Sequence, residues 1–340
     1  MSSFQRFLRA FLVLFIVLSG TDAKLNRYPR GESVVYRTIY VDQSGKGNFR
    51  TIQSAIDSVP SNNNKWVCIY VKAGTYRESV KIPYDKPFIF LKGEGKWKTF
   101  VVWDNHDSIA TSATFTSDAD NIIVKSITFT NSYNSPPGSS GNPMRTAVAA
   151  KISGDKSSFY RCGFLGLQDT LWDVQGRHYF KLCSIQGAVD FIFGSGQSIY
   201  ERCTISVIAG VLDGLAGFIT AQSRSSPYET NGFVFKDCKI IGHGKTFLGR
   251  AWRDYARVVF YNTTMSDVVV PEGWSPWVVA SGHEYQITFA EYKCRGPGAN
   301  TAGRVKWANK LNVDELIRLT STSFIDEEGW MSRQVFNMMD

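Results

Sequence analysis

A tetrapeptide pattern that recurs along the middle of the chain constrains its fold more than any other feature. Each copy has an apolar first residue, mostly polar second and third residues, and a small or apolar fourth residue. The copies lie at Val124–Ile127, Phe159–Cys162, Phe180–Cys183, Tyr200–Cys203, Phe235–Cys238, Phe260–Thr263 and Phe289–Tyr292. Neighbouring copies are 20 to 35 residues apart, which indicates a coil of about 20 residues with loops of variable length.

This spacing favours an all-β fold, a parallel β-helix built as a single-stranded solenoid. A period near 20 residues is too short for the common helical repeats. Aromatic residues make up 14% of the 340 residues, and aromatic side chains favour strands. We therefore expect short strands stacked about 4.8 Å apart, with aromatic residues and cysteines in columns inside the coil.

Two segments outside the repeats have helical patterns. Residues 49–59 carry apolar side chains at Ile52, Ala55, Ile56 and Val59, which is a helical period. We expect this N-terminal helix to cap the open first coil. Residues 313–319 are also expected to be helical and to pack near the other end.

The first residues of the chain have the pattern of a secretory signal peptide. Arg6 and Arg9 precede an apolar run at residues 10–18, and small residues follow up to Ala23. The run is too short to span a bilayer comfortably. We predict a signal peptide at residues 1–23, cleaved after Ala23, and one secreted domain at residues 24–340 without a membrane anchor. The sequon that begins at Asn262 predicts a glycan on the surface.

Two aspartates hold equivalent positions after consecutive repeats. Asp169 follows Cys162 by seven residues, and Asp190 follows Cys183 by seven residues. Their carboxylates should therefore lie roughly 5 Å apart on neighbouring coils, where one pKa is raised and the other lowered. Arg250 could reach back across about two coils and bind one carboxylate with both donors of its fork. An aspartate ladder at a solvated turn and an ordinary surface salt bridge are the structural alternatives.

Other catalytic motifs fit the chain less well. It has no Gly-x-Ser-x-Gly nucleophile elbow and no His-Glu-x-x-His zinc motif. Its six cysteines include no Cys-x-x-Cys pair, so a zinc or redox site is weakly supported. The formal charge of +8 is compatible with an acidic partner. It is equally typical of an ordinary basic secreted protein, so the charge alone does not indicate a partner.

Several motifs in order resemble those of plant-type pectinesterases (pectin methylesterases). They are Gly74–Glu78, Gln168–Leu171, Asp190–Gly194, Leu248–Trp252 and Phe289–Ala299, and the resemblance spans about residues 36–335. It implies a right-handed parallel β-helix that removes methyl esters from homogalacturonan in the plant cell wall. It also implies catalysis without a metal or other cofactor.

The resemblance assigns roles to the residues that match its motifs. Asp190 would be the nucleophile, and Asp169 the general acid and later the base. Arg250 would hold Asp190 ionised, Gln168 would donate to the oxyanion, and Trp252 would pack against the sugar.

Trp274 is a second aromatic candidate for the groove, with core packing as the equal alternative. The resemblance also implies a disulfide between Cys203 and Cys238. The resemblance implies pectin as one partner and a proteinaceous pectinesterase inhibitor as a second class of partner. It also implies a monomeric protein that binds neither nucleic acid nor membrane.

The chain departs from the family pattern at three places. Thr146 stands where the family usually has a glutamine that serves the oxyanion, and Ala251 stands where it usually has proline. No long inhibitor-like pro-region precedes the catalytic part, as in the short form of the family. Thr146 leaves open a weakened protein that binds pectin or an inhibitor, and paired carboxylates also suit a β-helix glycosidase that cleaves the pectin chain.

Overall fold

A computed structural model describes residues 37–134 and 142–335 of this chain. The predicted signal peptide, residues 1–23 with its cleavage site at Ala23, lies outside the described residues. Within them, no helix is long and apolar enough to cross a membrane.

The strands of the described residues form three parallel sheets of ten, eight and eight strands. The ten-stranded sheet is called sheet A, and the two eight-stranded sheets are called B and C. After its first strand the chain passes through sheets A, B and C in that repeating order. The fold is therefore a right-handed parallel β-helix, as predicted. Sheet A contains β1 Arg37–Val41, β2 Val67–Val71, β5 Ile89–Gly93, β8 Ile123–Lys125, β11 Ser157–Tyr160, β14 Arg177–Lys181, β17 Gln197–Glu201, β20 Gly232–Lys236, β23 Arg257–Tyr261 and β26 Thr288–Tyr292.

Every sheet A strand except β1 and β26 is followed by a sheet B strand, and each sheet B strand is followed by a sheet C strand. Sheet B contains β3 Gly74–Tyr76, β6 Thr99–Trp103, β9 Thr128–Asn131, β12 Gly163–Leu165, β15 Ser184–Gly187, β18 Thr204–Ile208, β21 Lys239–His243 and β24 Thr264–Met265. Sheet C contains β4 Val80–Ile82, β7 Phe115–Ser117, β10 Ala150–Ile152, β13 Leu171–Asp173, β16 Ile192–Gly194, β19 Gly217–Gln222, β22 Thr246–Ala251 and β25 Trp274–Ser275.

The repeat marks the turn from sheet A to sheet B. Its third residue takes a left-handed conformation with φ between 50° and 60°, at Ser126, Arg161, Leu182, Arg202, Asp237 and Asn262. This conformation lets the chain turn within two residues, and the backbone ladder continues through it. The N–H of Arg161 donates to the carbonyl of Lys181 at 2.9 Å, for example. The inter-coil hydrogen bond compensates for the steric cost of the left-handed backbone.

The first residue of the repeat forms an aromatic column in the core. The rings of Phe159, Phe180, Tyr200, Phe235 and Phe260 are stacked with centroids 4.5–4.8 Å apart and planes within 12° of parallel. All five are fully buried. The ring spacing matches the interstrand spacing of about 4.8 Å that the backbone hydrogen bonds impose, so the column buries aromatic surface at each of these coils.

The seventh copy of the repeat was predicted in the wrong register. The structure pairs Phe260 with Glu291, not with Phe289. The copy is therefore Glu291–Cys294, with Lys293 in the left-handed position. The error arose because a carboxylate occupies the aromatic column at the last coil, where Arg304 neutralises it through two hydrogen bonds of 2.7 and 3.0 Å.

The expected disulfide between Cys203 and Cys238 is not formed, and all six cysteines are free. The two cysteines follow residues in register on β17 and β20, so they are stacked on adjacent coils as free thiols. Instead, the Sγ of Cys203 lies 3.4 Å from the carbonyl of Phe180, and that of Cys238 lies 3.2 Å from the carbonyl of Tyr200. Each thiol is thus a weak donor to the preceding coil.

The predicted N-terminal helix is present as α1, Ile52–Asp57. Its buried face, Ile52, Ala55 and Ile56, packs into the core at the first coil. Its N-terminus is held by the carboxylate of Glu78, which accepts from the N–H groups of Ile52 and Gln53 at 2.9 Å each.

The predicted C-terminal helix is present as α2, Val313–Thr320, but not at the end of the coil. It lies against β20, where Nζ of Lys236 donates to the carbonyl of Thr320 at 3.2 Å. The end of the coil is instead packed by Val305, Trp307 and Ala308. The helix therefore packs on a flank of the solenoid and against the short 3-10 helix Thr322–Phe324 that follows it.

Candidate active site

Asp169 and Asp190 lie on the turn between sheets B and C of consecutive coils. Gln168 pairs with Val189 in a parallel bridge, and the N–H of Asp169 donates to the carbonyl of Val189 at 3.1 Å. This register places the two aspartates side by side. Both have left-handed backbones, with φ of 59° and 47°, a conformation that aspartate tolerates better than most residues.

Both carboxylates are nearly buried, and one of them is paired. Asp169 is 8% exposed and Asp190 is 6% exposed. Arg250, on β22, donates from Nε to Oδ1 of Asp190 at 2.8 Å and from Nη2 to Oδ2 at 2.5 Å. The bidentate geometry is the strong form of such a pair. Arg250 reaches Asp190 across Ala221, its register partner on β19.

The two carboxyl groups therefore differ in their electrostatics. Burial, and secondarily the charge of Asp190, raises the pKa of Asp169 to about 7, against the opposing field of Arg250. Burial also raises the pKa of Asp190, while the hydrogen bonds and charge of Arg250 act to lower it. Asp190 is thus the carboxylate with a bound cation, and Asp169 is the one that keeps its proton near neutral pH.

Gln168 and Thr146 stand on the same edge as the aspartates. They are partners in a parallel bridge between adjacent coils, and both are half-buried. No hydrogen bond within the described residues engages the side-chain amide of Gln168. Its N–H donors are therefore available to an oxygen that approaches Asp190.

The aromatic side chains near the site differ from the expected set. Trp252 is half-buried and packs against Phe193, with ring centroids 6.1 Å apart, in a small cluster on the outer face of sheet C. Trp274 is 1% exposed and donates from Nε1 to Glu291, so it belongs to the core and cannot line a groove.

Sequence reasoning missed Trp277 and Phe218 as site residues. The guanidinium carbon of Arg250 lies 3.7 Å from the ring centroid of Trp277 and 4.2 Å from that of Phe218. Trp277 was visible as the second tryptophan of the Gly273–Trp277 motif, but spacing alone cannot tell which tryptophan faces the core. Phe218 carried no signal, because an aromatic residue in a strand is ordinary.

Among the described residues, no group of three or more histidine, cysteine or carboxylate side chains is arranged to hold a metal ion. His178 is fully buried between Asp173, 2.6 Å away, and the carbonyl of Gly154, 2.8 Å away. Both ring nitrogens of His178 are therefore engaged within the core of the coil, by groups other than Asp169 and Asp190.

Comparisons with known proteins agree with this geometry. The family model for pectinesterase matches residues 38–328. The chain is 58% identical over 301 residues to probable pectinesterase 29 of Arabidopsis thaliana, covering 88% of this chain and 90% of that one. It is 56% identical over 296 residues to probable pectinesterase 55 of the same plant, covering 86% and 89%. Pectin methylesterase from carrot superposes with a TM-score of 0.79 at 29% identity, covering 90% of this chain and 98% of that one.

Proposed function

This chain belongs to the pectinesterase family and is a carboxylic ester hydrolase that removes methyl esters from pectin, and we propose that Asp190 is its nucleophile and Asp169 its general acid and base. The observation that carries this assignment is the unequal pair of carboxylates. One is held by the fork of Arg250, and the other has a pKa of about 7. A nucleophile must be ionised and a general acid protonated, so both are ready at the same pH.

The first half of the reaction forms an acyl-enzyme. A carboxylate oxygen of Asp190 attacks the ester carbonyl carbon of a methylated galacturonate. The carbonyl oxygen becomes an oxyanion, which accepts hydrogen bonds from the side-chain amide of Gln168. As the tetrahedral intermediate collapses, the methoxy group leaves with the proton of Asp169 and departs as methanol.

The second half returns the enzyme to its starting state. Asp169, now ionised, takes a proton from a water molecule as that water attacks the acyl carbon. The bond to Asp190 breaks, the free galacturonate is released, and Asp190 regains its charge beside Arg250. Trp252 offers an apolar face near the reacting carboxylates for the sugar ring.

The chain acts in the plant cell wall as a secreted, monomeric glycoprotein, with pectin as substrate and an inhibitor protein as a second class of partner. The signal pattern that ends at Ala23 and the sequon at Asn262 support this part of the proposal. The amide of Asn262 is half-buried and hydrogen-bonded to Asp237 and Arg295, so a glycan there would have to displace these contacts. Mass spectrometry of the secreted protein tests both the new N-terminus, Lys24, and the glycan.

Methanol release from methylated pectin tests the proposed activity. We expect the purified protein to release methanol and the Asp190→Ala variant to release none above background. Asp267→Asn, an exposed aspartate on a loop, is the matched control and should keep wild-type activity. Methanol release by Asp190→Ala at the wild-type rate would contradict the assignment of the nucleophile.

A reducing-end assay and a pectin-binding assay on the same protein separate the two alternatives. New reducing ends without methanol would identify a glycosidase. Binding of pectin with neither product would identify a weakened binding protein, the alternative that Thr146 favours.

A further inference from the structure

The guanidinium group of Arg250 is in close contact with two aromatic rings. Its central carbon lies 3.7 Å from the ring centroid of Trp277 and 4.2 Å from that of Phe218. Phe218 is itself stacked on Phe247, with centroids 5.1 Å apart and planes 10° from parallel. The two hydrogen bonds to Asp190 leave from the edge of the guanidinium.

The two rings restrict the movements of the Arg250 guanidinium that its hydrogen bonds to Asp190 still allow. A guanidinium is flat, and its five N–H donors lie in its plane. Two rings packed this closely oppose movement of the guanidinium out of its plane and exclude water from around it, and each ring attracts the cation through its π-electrons. The edge donors are then directed at the Asp190 carboxylate before any substrate arrives.

Trp277 is held in this place by an unusual backbone. Its φ is 51°, a left-handed conformation that is costly for a bulky side chain. The side chain remains 44% exposed, so core burial does not account for its position. The left-handed backbone at Trp277 instead accompanies the contact of its ring with Arg250.

We propose that Phe218 and Trp277 are positioning residues that hold Arg250 in line with the Asp190 carboxylate, a role that rests on the proposed function of Asp190 as nucleophile. They act through Arg250 and touch no reacting atom. Removing either ring lets the guanidinium tilt and hydrate, which weakens its support of the ionised Asp190 and misdirects the attacking oxygen.

A sugar-binding role for Trp277 makes a different kinetic prediction. A ring that stacks only on bound pectin contributes equally to the ground state and the transition state, so its loss raises KM and leaves kcat unchanged. A ring that positions Arg250 acts on the chemical step, so its loss lowers kcat.

The kinetic experiment uses Trp277→Leu, Phe218→Leu and the conservative Trp277→Phe on the full chain, with methanol release from pectin as the assay. We expect both leucine variants to lower kcat about tenfold, the scale of one lost cation–π contact, with KM within twofold. Trp277→Phe should restore most of kcat. Tyr285→Leu, an exposed aromatic on the same loop that does not touch Arg250, is the matched control and should be unchanged.

A second measurement does not depend on activity. Asp190 faces the charge of Arg250 and, from the neighbouring coil, Asp169. In ¹³C NMR titration of the aspartate carboxyl groups, with Asp190 identified by its loss in Asp190→Asn, both leucine variants should raise the pKa of Asp190. Melting temperatures establish that each variant is folded, and Trp277→Leu, which alters a half-exposed side chain, remains informative if Phe218→Leu does not fold.

These readouts also separate two kinds of failure. A wild-type protein that releases no methanol would refute the proposed function, while the titration would still test the aromatic contacts. Unchanged kcat and an unchanged Asp190 pKa in Trp277→Leu, or a rise in KM alone, would overturn the positioning role and leave the esterase assignment standing.

Discussion

Asp169 and Asp190 are the same residue type in the same turn of adjacent coils, and their neighbours make them chemically different. Arg250 contacts Asp190 directly and reaches Asp169 only through its field. Substituting Asp169 and substituting Asp190 should therefore affect different limbs of the profile of activity against pH.

The pKa of about 7 at Asp169 predicts how activity changes with pH. The general acid works only when protonated, so kcat/KM should fall as pH rises through about 7. In Asp169→Asn the amide cannot transfer a proton, and we expect a loss of roughly 10²–10⁴-fold together with the disappearance of this basic limb. Methanol release measured from pH 5 to pH 9 checks it. A basic limb that survives in Asp169→Asn would assign the titration to another group.

The raised pKa of Asp169 also makes the stability of the folded protein depend on pH. The folded state keeps a proton that the unfolded state has lost above its ordinary pKa, so this group penalises folding progressively as pH rises from about 4 to about 7. Asp169→Asn should therefore raise the melting temperature more at pH 8 than at pH 4. A shift of equal size at both values would show that ionisation of Asp169 is not the cause.

Thr146 predicts a slower enzyme than its relatives with glutamine in that position. Its side chain is shorter than a glutamine amide, so on the proposed mechanism we expect Gln168 to provide most of the oxyanion stabilisation. We expect Thr146→Gln to raise kcat with little change in KM, by up to the ~10²–10³-fold that one oxyanion donor contributes in other hydrolases. Gln168→Ala should nearly abolish turnover. If Thr146→Gln lowers activity and Gln168→Ala is tolerated, the oxyanion is bound elsewhere.

At the scale of the element, the turn between sheets A and B predicts an effect on stability. Leu182 has a left-handed backbone with φ of 57° and is 38% exposed. Aspartate tolerates this conformation much better, so Leu182→Asp should stabilise the protein by about 0.5–1 kcal/mol. Ile241→Asp replaces a similarly exposed apolar residue within the extended strand β21 and should not stabilise. Thermal melting of both variants checks it.

The repeat was readable from the sequence because each turn needs the same local arrangement. Six copies were placed in the correct register, because in each an aromatic or aliphatic residue is followed three positions later by a small or apolar residue. The seventh failed at Glu291, because a buried carboxylate paired with Arg304 breaks the apolar pattern on which the register was based. The alignment of Asp169 with Asp190 was predictable for the same reason, as both are counted from buried cysteines.

The aromatic contacts of Arg250 were not predictable at this scale. Phe218 lies in β19 and Trp277 in a loop, 59 residues apart in the chain. No periodic pattern connects a strand residue to a loop residue, and the loop conformation depends on contacts with the finished coil. Residues that act through tertiary contacts are therefore the part of the site that sequence patterns leave out.

For the molecule as a whole, the free cysteines predict insensitivity to reductants. Each thiol in the column donates to a carbonyl of the preceding coil, and no covalent bond links the coils. The melting temperature should be the same with and without a thiol reductant. A decrease of several degrees in reductant would show that Cys203 and Cys238 are bridged in the secreted protein.

The length of a parallel β-helix is not fixed by its geometry. Each coil pairs its strand edges with the next coil, so the last coil is left with the same edges unpaired. Two molecules that met end to end could in principle continue the sheets from one into the other, as in a growing fibre. In this chain the aromatic column ends at Glu291, whose charge is held by Arg304, and Trp307 packs beside it. Both side chains of this ion pair are already buried. An incoming coil that stacked its own aromatic residue on Glu291 would have to displace Arg304 and leave the carboxylate buried without its cation, so the ion pair acts as a terminator against polymerisation.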